Sequence, residues 1–415
     1  GPSKSPRKHS WQLSRSTMSD GRSSAIATNL APNDPVLADA AHGWKSAYIH
    51  IPFCRRRCPY CDFAIVDESA VDVDHRSYVD AVIAEMAMEE GIGELDAVNF
   101  GGGTPSMVEP SMIGDLLSAL VSRFGLARDA EVSIEVNPED WTADYGESLR
   151  ASGVNRVSIG AQSMDGTILG VLGRAHRAES IEAAVLGARA IGMRTVSVDL
   201  IIGHPEESDR SWAQTVATTL ALPVDHVSTY SLTVEPGTAL SREVNAGEPA
   251  PDDDVQADRY EFFAAESASV GFRRYEVSNH AKVGHACRYN LSTWAHGEYV
   301  AFGMAVHDHR WGLRARNHRR LDRYMADIEA GRRPRLGSEE LSLVEQERDR
   351  LMLGLRLAAG TPLGSVARSF AASPQGQRFV RAGILDVAGD RLVVTDPLLA
   401  DAVAREALSV SPFDC

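Results

Sequence analysis

The segment Tyr48–Phe63 reads YIHIPFCRRRCPYCDF and places Cys54, Cys58 and Cys61 at the spacing C-x3-C-x2-C. The apolar run that ends at Pro52 predicts a buried strand, so the cysteines lie on the loop that follows it. Thiolates are soft ligands that suit iron–sulfur clusters, and a cubane cluster has four iron corners. Three neighbouring cysteines can therefore bind three corners and leave one iron open to a chelating ligand, as a catalytic zinc keeps one position free.

Two other interpretations of these cysteines compete with a cluster, namely a zinc site and three unrelated buried thiols. A structural zinc site needs a second pair of ligands at matching spacing, and the sequence shows none. The chain has five cysteines, and the other two, Cys287 and Cys415, lie far from the motif. An odd total with three clustered thiols argues against a disulfide framework, so we expect a reducing, cytoplasmic environment.

The cysteine motif, with Tyr60 directly before its last cysteine, resembles the signature of radical S-adenosylmethionine (SAM) proteins. Its flanks, Tyr-Ile-His-Ile-Pro-Phe-Cys and Cys-Asp-Phe, resemble the branch that contains oxygen-independent coproporphyrinogen III oxidases and HemW-type heme chaperones. The resemblance covers about residues 46–400. It implies that the three motif cysteines bind a 4Fe–4S cluster, that SAM chelates the open iron, and that one-electron reduction of SAM yields a 5′-deoxyadenosyl radical. A flavodoxin or ferredoxin is the implied electron donor.

The composition is typical of a large globular protein with a second, smaller unit. The chain has 415 residues, is 44% hydrophobic and carries a formal net charge of −15, which argues against nucleic acid as a partner. No apolar run approaches the roughly 18 residues of a membrane span, so we predict no membrane anchor. Residues 1–43 are polar, rich in Ser and Ala and without periodicity, and we expect them to be mostly disordered.

From residue 47 onward, short apolar runs alternate with segments of helical periodicity. The runs are Ala47–Ile51, Ala97–Phe100, Glu131–Val136, Asn155–Ile159, Thr195–Ile202 and His226–Leu232. This alternation predicts an α/β fold with a parallel sheet curled into a partial (β/α)6 TIM-like barrel. We assign the barrel to residues 44–235, a family-specific extension to 236–335, and a small α+β domain, resembling that of HemN-type oxidases, to 336–415.

Polar residues follow or interrupt these predicted strands, at the carboxyl ends where such barrels bind ligands. Three glycines after the second run allow close approach of backbone to a ligand. Taken singly, each polar residue is more often structural. Together they match the family in order and nearly in spacing. The resemblance implies a SAM site in which the glycine segment contacts the methionine moiety, Glu135, Gln162 and Asp199 contact the ribose and methionine, and Arg174 pairs with the carboxylate. The implied set is Tyr48, Tyr60, Gly102, Gly103, Thr104, Glu135, Gln162, Arg174, Asp199, Thr233 and His307.

The segment Tyr289–Trp294 reads YNLSTW where chaperone-type relatives carry His-Asn-x-x-Tyr-Trp, so two of the four motif positions differ. Tyrosinate can ligate heme iron in place of histidine. Nearby thiol and imidazole groups are other possible axial ligands, while simple packing of the two aromatic rings is the alternative. The candidate heme-binding residues are His285, Cys287, Tyr289, Asn290 and Trp294.

Three functions are compatible with this resemblance: a heme chaperone that delivers heme to apoproteins, an oxidase that decarboxylates coproporphyrinogen III, and a SAM-dependent C-methyltransferase or cyclopropanase. The oxidases carry a fourth cysteine two residues after the third, and Phe63 occupies that position here. The sequence therefore favours the chaperone, whose partners would be SAM, heme or a porphyrin, an electron donor and a heme-accepting apoprotein.

Overall fold

The computed structural model describes residues 30–70 and 73–410. Residues 1–29, which were expected to be disordered, lie outside the described residues, and so does Cys415. The strands are β1 (Lys45–Ile51), β2 (Phe53–Cys54), β3 (Val66–Asp67), β4 (Leu95–Gly102), β5 (Leu126–Val136), β6 (Arg156–Gln162), β7 (Thr195–Ile202), β8 (His226–Ser231), β9 (Arg273–Arg274), β10 (Asn279–Ala281), β11 (Glu298–Phe302), β12 (His307–Arg310), β13 (Leu313–Asn317), β14 (Arg335–Glu340), β15 (Thr361–Pro362), β16 (Leu385–Ala388) and β17 (Arg391–Val394).

The helices are α1 (Pro35–Gly43), α2 (His75–Met88), α3 (Pro110–Phe124), α4 (Ala143–Ala151), α5 (Gly166–Val171), α6 (Ala178–Ala190), α7 (Asp209–Ala221), α8 (Ala239–Asn245), α9 (Asp253–Ser269), α10 (Arg288–Trp294), α11 (Leu321–Glu329), α12 (Leu343–Gly354), α13 (Ser365–Ala372), α14 (Pro374–Arg381) and α15 (Ala400–Ser409). Within the described residues, no helix is long and apolar enough to cross a membrane.

Twelve of these strands form one sheet in the order β14-β13-β12-β11-β1-β4-β5-β6-β7-β8-β10-β9. The six strands from β1 to β8 in that order are mutually parallel. They coincide with the six predicted apolar runs, and helices alternate with them along the chain. The α/β class and the partial (β/α)6 core predicted from the sequence are therefore confirmed.

The side chains of the parallel strands divide into an apolar outer face and a polar inner face. Because side chains alternate along a strand, Val157 and Val198 are fully buried against the helices, while their neighbours in sequence point to the opposite face. The register places Glu135 beside Ser158, and Asp199 beside Ser228, on that opposite face. A pure parallel core is usually apolar on both faces, so this polar inner surface indicates a site.

Both edges of the sheet are extended beyond the six parallel strands. On one edge β11 runs parallel to β1, and β12, β13 and β14 follow in antiparallel order. On the other edge β10 and β9 pair antiparallel to β8. The large sheet therefore continues to Glu340, and the predicted divisions of the chain at residues 235 and 335 remain predictions.

A second, smaller unit follows this sheet. Strands β15, β17 and β16 form a three-stranded antiparallel sheet. Helices α12 to α15 pack with it around a separate core that includes Leu351, Phe370, Leu392 and Val403. This arrangement has the small α+β character expected for the C-terminal region.

Helix α1 lies within the stretch 1–43 that was expected to be disordered, and for residues 35–43 that expectation is wrong. Asp34 caps the helix by accepting a hydrogen bond from the Val36 backbone N–H at 2.9 Å. Its apolar side chains Leu37 and Ala41, at i and i+4, are buried. Tertiary burial of a short apolar face stabilises the helix, and nine residues are too few to reveal that periodicity.

Glu85 joins helix α2 to the extended edge of the sheet. Its fully buried carboxylate accepts hydrogen bonds from the Gly303 N–H at 2.8 Å, the Asn317 amide at 2.6 Å and the Tyr324 hydroxyl at 2.8 Å. Burial raises the pKa of Glu85 to about 7, although all three donors act in the opposite direction. One side chain thus connects four separate segments of the chain.

We predict that Glu85→Ala lowers the free energy of unfolding by at least about 3 kcal/mol, because three buried donors lose their acceptor at roughly 1–3 kcal/mol each. Chemical denaturation would measure this loss, with the exposed Glu90→Ala as control.

The pKa of Glu85 is higher in the folded protein than in the unfolded chain. The advantage of the wild type over Glu85→Ala should therefore be largest below about pH 4.5 and shrink as the pH rises through 7. An advantage that grows with pH would contradict this.

Candidate functional site

The three motif cysteines lie on a loop that leaves the carboxyl end of β1. The loop is closed by parallel pairing of β2 with β3, in which Phe53 is opposite Val66. Within it, the Cys61 N–H donates to the Cys58 carbonyl at 3.2 Å, and the Arg57 guanidinium donates to the Cys61 carbonyl at 3.0 Å. All three thiols are free and partly exposed. The local structure thus gathers three unpaired thiols on one short segment.

Polar side chains of neighbouring segments lie next to the sulfur atoms of the motif. The Thr104 hydroxyl lies 3.5 Å from the Cys54 sulfur, and an Arg174 N–H lies 3.7 Å from the Cys58 sulfur. Burial, together with the neighbouring thiols Cys61 and Cys58, raises the pKa of Cys54 to about 11. The Cys54 thiol is therefore protonated at neutral pH in the metal-free protein, and metal binding would have to release that proton.

The donor set of the loop consists of three thiols. In the described residues, no group of three His, Cys, Asp or Glu side chains converges as the ligands of one metal ion would. A cubane presents its irons at separate corners, so its three thiolate ligands need not meet at a point.

The glycine segment at the end of β4 packs directly on the start of the cysteine loop. A Cβ atom on Gly103 would lie 2.6 Å from the carbonyl carbon and oxygen of Pro52, and one on Gly101 would lie 2.6 Å from a Glu135 carboxylate oxygen. Gly102 has φ 118°, a conformation that favours glycine. These positions require the absence of a side chain, and Thr104, which follows them, is brought to the Cys54 sulfur.

Arg174 connects the cysteine loop with the carboxyl end of β6. Its Nη2 donates to the Asn137 side-chain oxygen at 2.6 Å and to the Gly160 carbonyl at 3.1 Å. Its Nε is buried and has no hydrogen-bond partner among the described residues. Tyr60 is close enough for its charge to influence the Arg174 pKa. A fixed guanidinium with an unused donor is suited to binding a carboxylate.

Two carboxylates of the inner face, Glu135 and Asp199, lie close to each other. Burial raises the pKa of Glu135 to about 7, and the charge of Asp199 adds to this shift. Burial also raises the pKa of Asp199, against hydrogen bonds from Ser228 and Ser158, the latter at 3.0 Å. The ring of Tyr48 is on the same face. The inner surface therefore offers one carboxyl group, that of Glu135, that is partly protonated near neutral pH.

The heme candidates do not form one surface. Tyr289 stacks on Tyr48 with ring centroids 5.9 Å apart, so it faces the inner surface. His285 lies instead at the amino ends of the strands, with its Nδ1 2.9 Å from the hydroxyl of Thr195, the first residue of β7. Cys287 is buried, and burial raises the pKa of its thiol to about 12. These two residues lie at the opposite end of the strands from the cysteine loop.

The remaining predicted heme and SAM residues lie in different parts of the structure. Asn290 is hydrogen-bonded to the Tyr275 hydroxyl, and the Trp294 ring lies under the Arg356 guanidinium at 4.6 Å. Thr233 and His307 are both exposed. Thr233 follows β8 and His307 begins β12, both at the carboxyl end of the parallel sheet.

Three further residues of the inner face were not predicted from the sequence: Ser158, Ser228 and Tyr230. Alternation along the strands is the signal that would have found them.

Gln162 closes β6 in a strained conformation. Its φ is 65°, in the left-handed region that few non-glycine residues occupy. Its side-chain nitrogen would lie 3.0 Å from a Cβ on Gly160, next to the Arg174 guanidinium. Strain of this kind is concentrated at functional sites.

Comparison with known proteins agrees with this geometry. Residues 48–218 match the model of the radical SAM superfamily. A heme chaperone HemW of Mycobacterium tuberculosis is 40% identical over 371 residues, which cover 87% of this chain and 94% of the relative. A mitochondrial radical S-adenosyl methionine domain-containing protein 1 of Bos taurus is 34% identical over 75% of this chain and 73% of its own length. The structure of the Escherichia coli coproporphyrinogen III oxidase HemN matches with a TM-score of 0.74 at 21% identity, covering 90% of this chain and 93% of that one, which shows a shared fold.

The fold and the cysteine loop thus define a radical SAM protein. Within that superfamily, the chain belongs to the HemW heme chaperone family. Membership of the superfamily implies a 4Fe–4S cluster and SAM as cofactors, in agreement with the sequence prediction.

We predict that Gln162→Gly raises the free energy of unfolding by about 1 kcal/mol, because glycine adopts the left-handed conformation without strain. Gln162→Ala removes the same amide but keeps a Cβ, and it is the matched control that should not be stabilised. Thermal and chemical unfolding of the two variants would measure the difference. Equal stability of the variants would show that the backbone at this position is not strained.

Proposed function

We propose that this chain is a heme chaperone, which binds heme on a radical SAM scaffold and delivers it to an apoprotein. The observation that carries the proposal is its 40% identity with a heme chaperone over 94% of that relative's length. The position of Phe63 supports it. Oxidases of this superfamily branch have a fourth cysteine there, whereas Phe63 has 60% of its surface exposed and cannot ligate iron.

We assign cluster binding to Cys54, Cys58 and Cys61. SAM, when bound at the open iron, supplies one-electron chemistry that no side chain provides. The chain's own residues bind and orient it: Arg174 would pair with the carboxylate of SAM. The bare backbone of Gly102 and Gly103 would approach its methionine moiety.

The inner face would complete the SAM site. Glu135, Gln162 and Asp199 are suited to the ribose and amino groups because carboxylate and amide oxygens accept hydrogen bonds. Tyr48 and Tyr60 flank this region, and the exposed Thr233 and His307 lie at its rim. The closely packed strands would exclude water from the interior while leaving the carboxyl end of the sheet open to a larger ligand.

Heme would enter from this end, where Thr233 and His307 are exposed. The further partners would be a flavodoxin- or ferredoxin-like electron donor and a heme-accepting apoprotein, in the cytoplasm. The family's usual motif histidine is replaced by Tyr289, so a different residue would ligate the iron in this chain.

The first prediction concerns the cluster. Anaerobically reconstituted protein should contain about four irons and four sulfides per chain. Cys54→Ala, Cys58→Ala and Cys61→Ala should each abolish the brown chromophore, because each removes one of three thiolate ligands. Cys287→Ala is the control and should retain the cluster. Iron and sulfide analysis provides the measurement, and a full cluster in any motif variant would refute the ligand assignment.

The second prediction concerns heme. Titration of the reconstituted protein with ferric heme should give a saturable shift of the Soret band at a ratio near one heme per chain. The same titration of apoprotein with the cluster removed shows whether heme binding needs the cluster. If the wild type gives no saturable spectrum, the chaperone assignment fails. SAM cleavage assays with coproporphyrinogen III or a methyl acceptor would then distinguish the oxidase from the methyltransferase.

A further inference from the structure

We propose that Tyr230 is the residue of this chain that binds the iron of ferric heme, through its phenolate oxygen. The proposal rests on the heme-chaperone function and assigns its ligand. Four observations lead to it: the accessibility of Tyr230, the face on which it lies, its hydrogen-bond chain, and the poor placement of the alternative ligands.

Tyr230 is an exposed side chain inside a concave surface. It retains 45% of its accessible surface, yet the charges of Asp199, Glu276 and Glu135 all influence its hydroxyl. A phenol on the convex outside of the sheet would not meet the two inner-face carboxylates, Asp199 and Glu135. The ring therefore stands in the open hollow at the carboxyl end of β8, where a planar macrocycle could approach it.

The register of the strands agrees with this placement. Asp199 is opposite Ser228, and Tyr230 is two residues further along β8, so the three side chains point to one face. The neighbouring residue Thr229 points to the other face and is buried. Tyr230 thus lies one step closer to the carboxyl end than the carboxylate that the SAM site would use, and heme bound there would lie above that site.

A hydrogen-bond chain connects the phenol to a proton acceptor. Ser228 is hydrogen-bonded both to Tyr230 and to Asp199. When the Fe–O bond forms, the Tyr230 O–H bond breaks and its proton passes to the Ser228 oxygen, while Ser228 passes its own proton to Asp199. The iron stays ferric and no electron moves. The Ser228 hydroxyl then donates to the bound phenolate.

The negative charges around Tyr230 oppose its deprotonation unless a ferric ion is bound. Burial and the three carboxylates raise the pKa of Tyr230, which disfavours a free phenolate at neutral pH. A ferric ion offsets that repulsion with its own positive charge. Tyr230 should therefore remain a neutral phenol in the heme-free protein and release its proton only when heme binds.

The other candidates are less suitable as ligands. Tyr289 has its ring stacked on Tyr48. His285 lies at the amino ends of the strands, and Cys287 is only 5% exposed. His307 is exposed at the rim and remains the competing ligand to be tested.

The test compares ferric heme spectra of four variants of the reconstituted, full-length protein. Tyr230→Phe should remove the high-spin charge-transfer band of tyrosinate-ligated heme and raise the Kd for heme at least tenfold. Tyr230→His should restore tight binding with a histidine-type spectrum. Tyr289→Phe should keep the band. Tyr145→Phe, on helix α4 outside the hollow, is the matched control. Iron content and thermal unfolding report whether each variant is folded and loaded.

A second readout concerns the hydrogen-bond chain. Ser228→Ala keeps the ligand but removes the hydrogen bond that lowers the Tyr230 pKa, so the pH midpoint of the charge-transfer band should move upward. A wild type without saturable heme binding would refute the chaperone function itself. Saturable binding with an unchanged band in Tyr230→Phe would refute only this inference. Loss of binding in His307→Ala or Tyr289→Phe would then identify the actual ligand.

Discussion

The close contact between two backbone segments is the constraint on which the site depends. The glycines at the end of β4 lie against the turn that carries β1 into the cysteine loop, with no room for a Cβ at Gly103. The Gly103 N–H donates to the Ile51 carbonyl at 2.8 Å and fixes this approach. Because of it, Thr104 reaches Cys54, and the loop is positioned over the inner face of the sheet. Without that contact the cysteines and the inner carboxylates would belong to separate surfaces.

Loss of hydration is the largest influence on the pKa values of the two inner-face carboxyl groups. Glu135 and Asp199 are enclosed by the strands, and the charge of Asp199 adds to the burial that raises the pKa of Glu135. Hydrogen bonds from Ser158 and Ser228 offset part of this penalty for Asp199. A cationic ligand bound at these two carboxylates would offset their repulsion further, because an opposite charge compensates the cost of burying an ionised group.

Much of the fold was predictable from the sequence because strand runs and helical segments alternate regularly from residue 47 onward. The cysteine loop was predictable because its spacing is local. Helix α1 was not, since only Leu37, Ala38 and Ala41 reveal its buried face. The separation of His285 from Tyr289 in the structure was not predictable from the sequence either. They are four residues apart in sequence, but His285 bonds to the start of β7 whereas Tyr289 stacks on Tyr48. The left-handed backbone of Gln162 has no signal in residue type.

The ion pair between Asp39 and Arg391 joins residues that are 352 positions apart in sequence, with an oxygen–nitrogen distance of 2.6 Å. Asp39 lies on α1, and Arg391 begins β17 of the C-terminal unit. During synthesis on the ribosome, the helix emerges long before its partner exists, so this contact forms only after residue 391 has been made. The apolar face of α1 packs on α10 and its neighbours, among them Leu291 and Ala295, which are made about a hundred residues earlier. Helix α1 can therefore dock first through its apolar face, and the ion pair with Arg391 then fixes the C-terminal unit against a helix that is already in place.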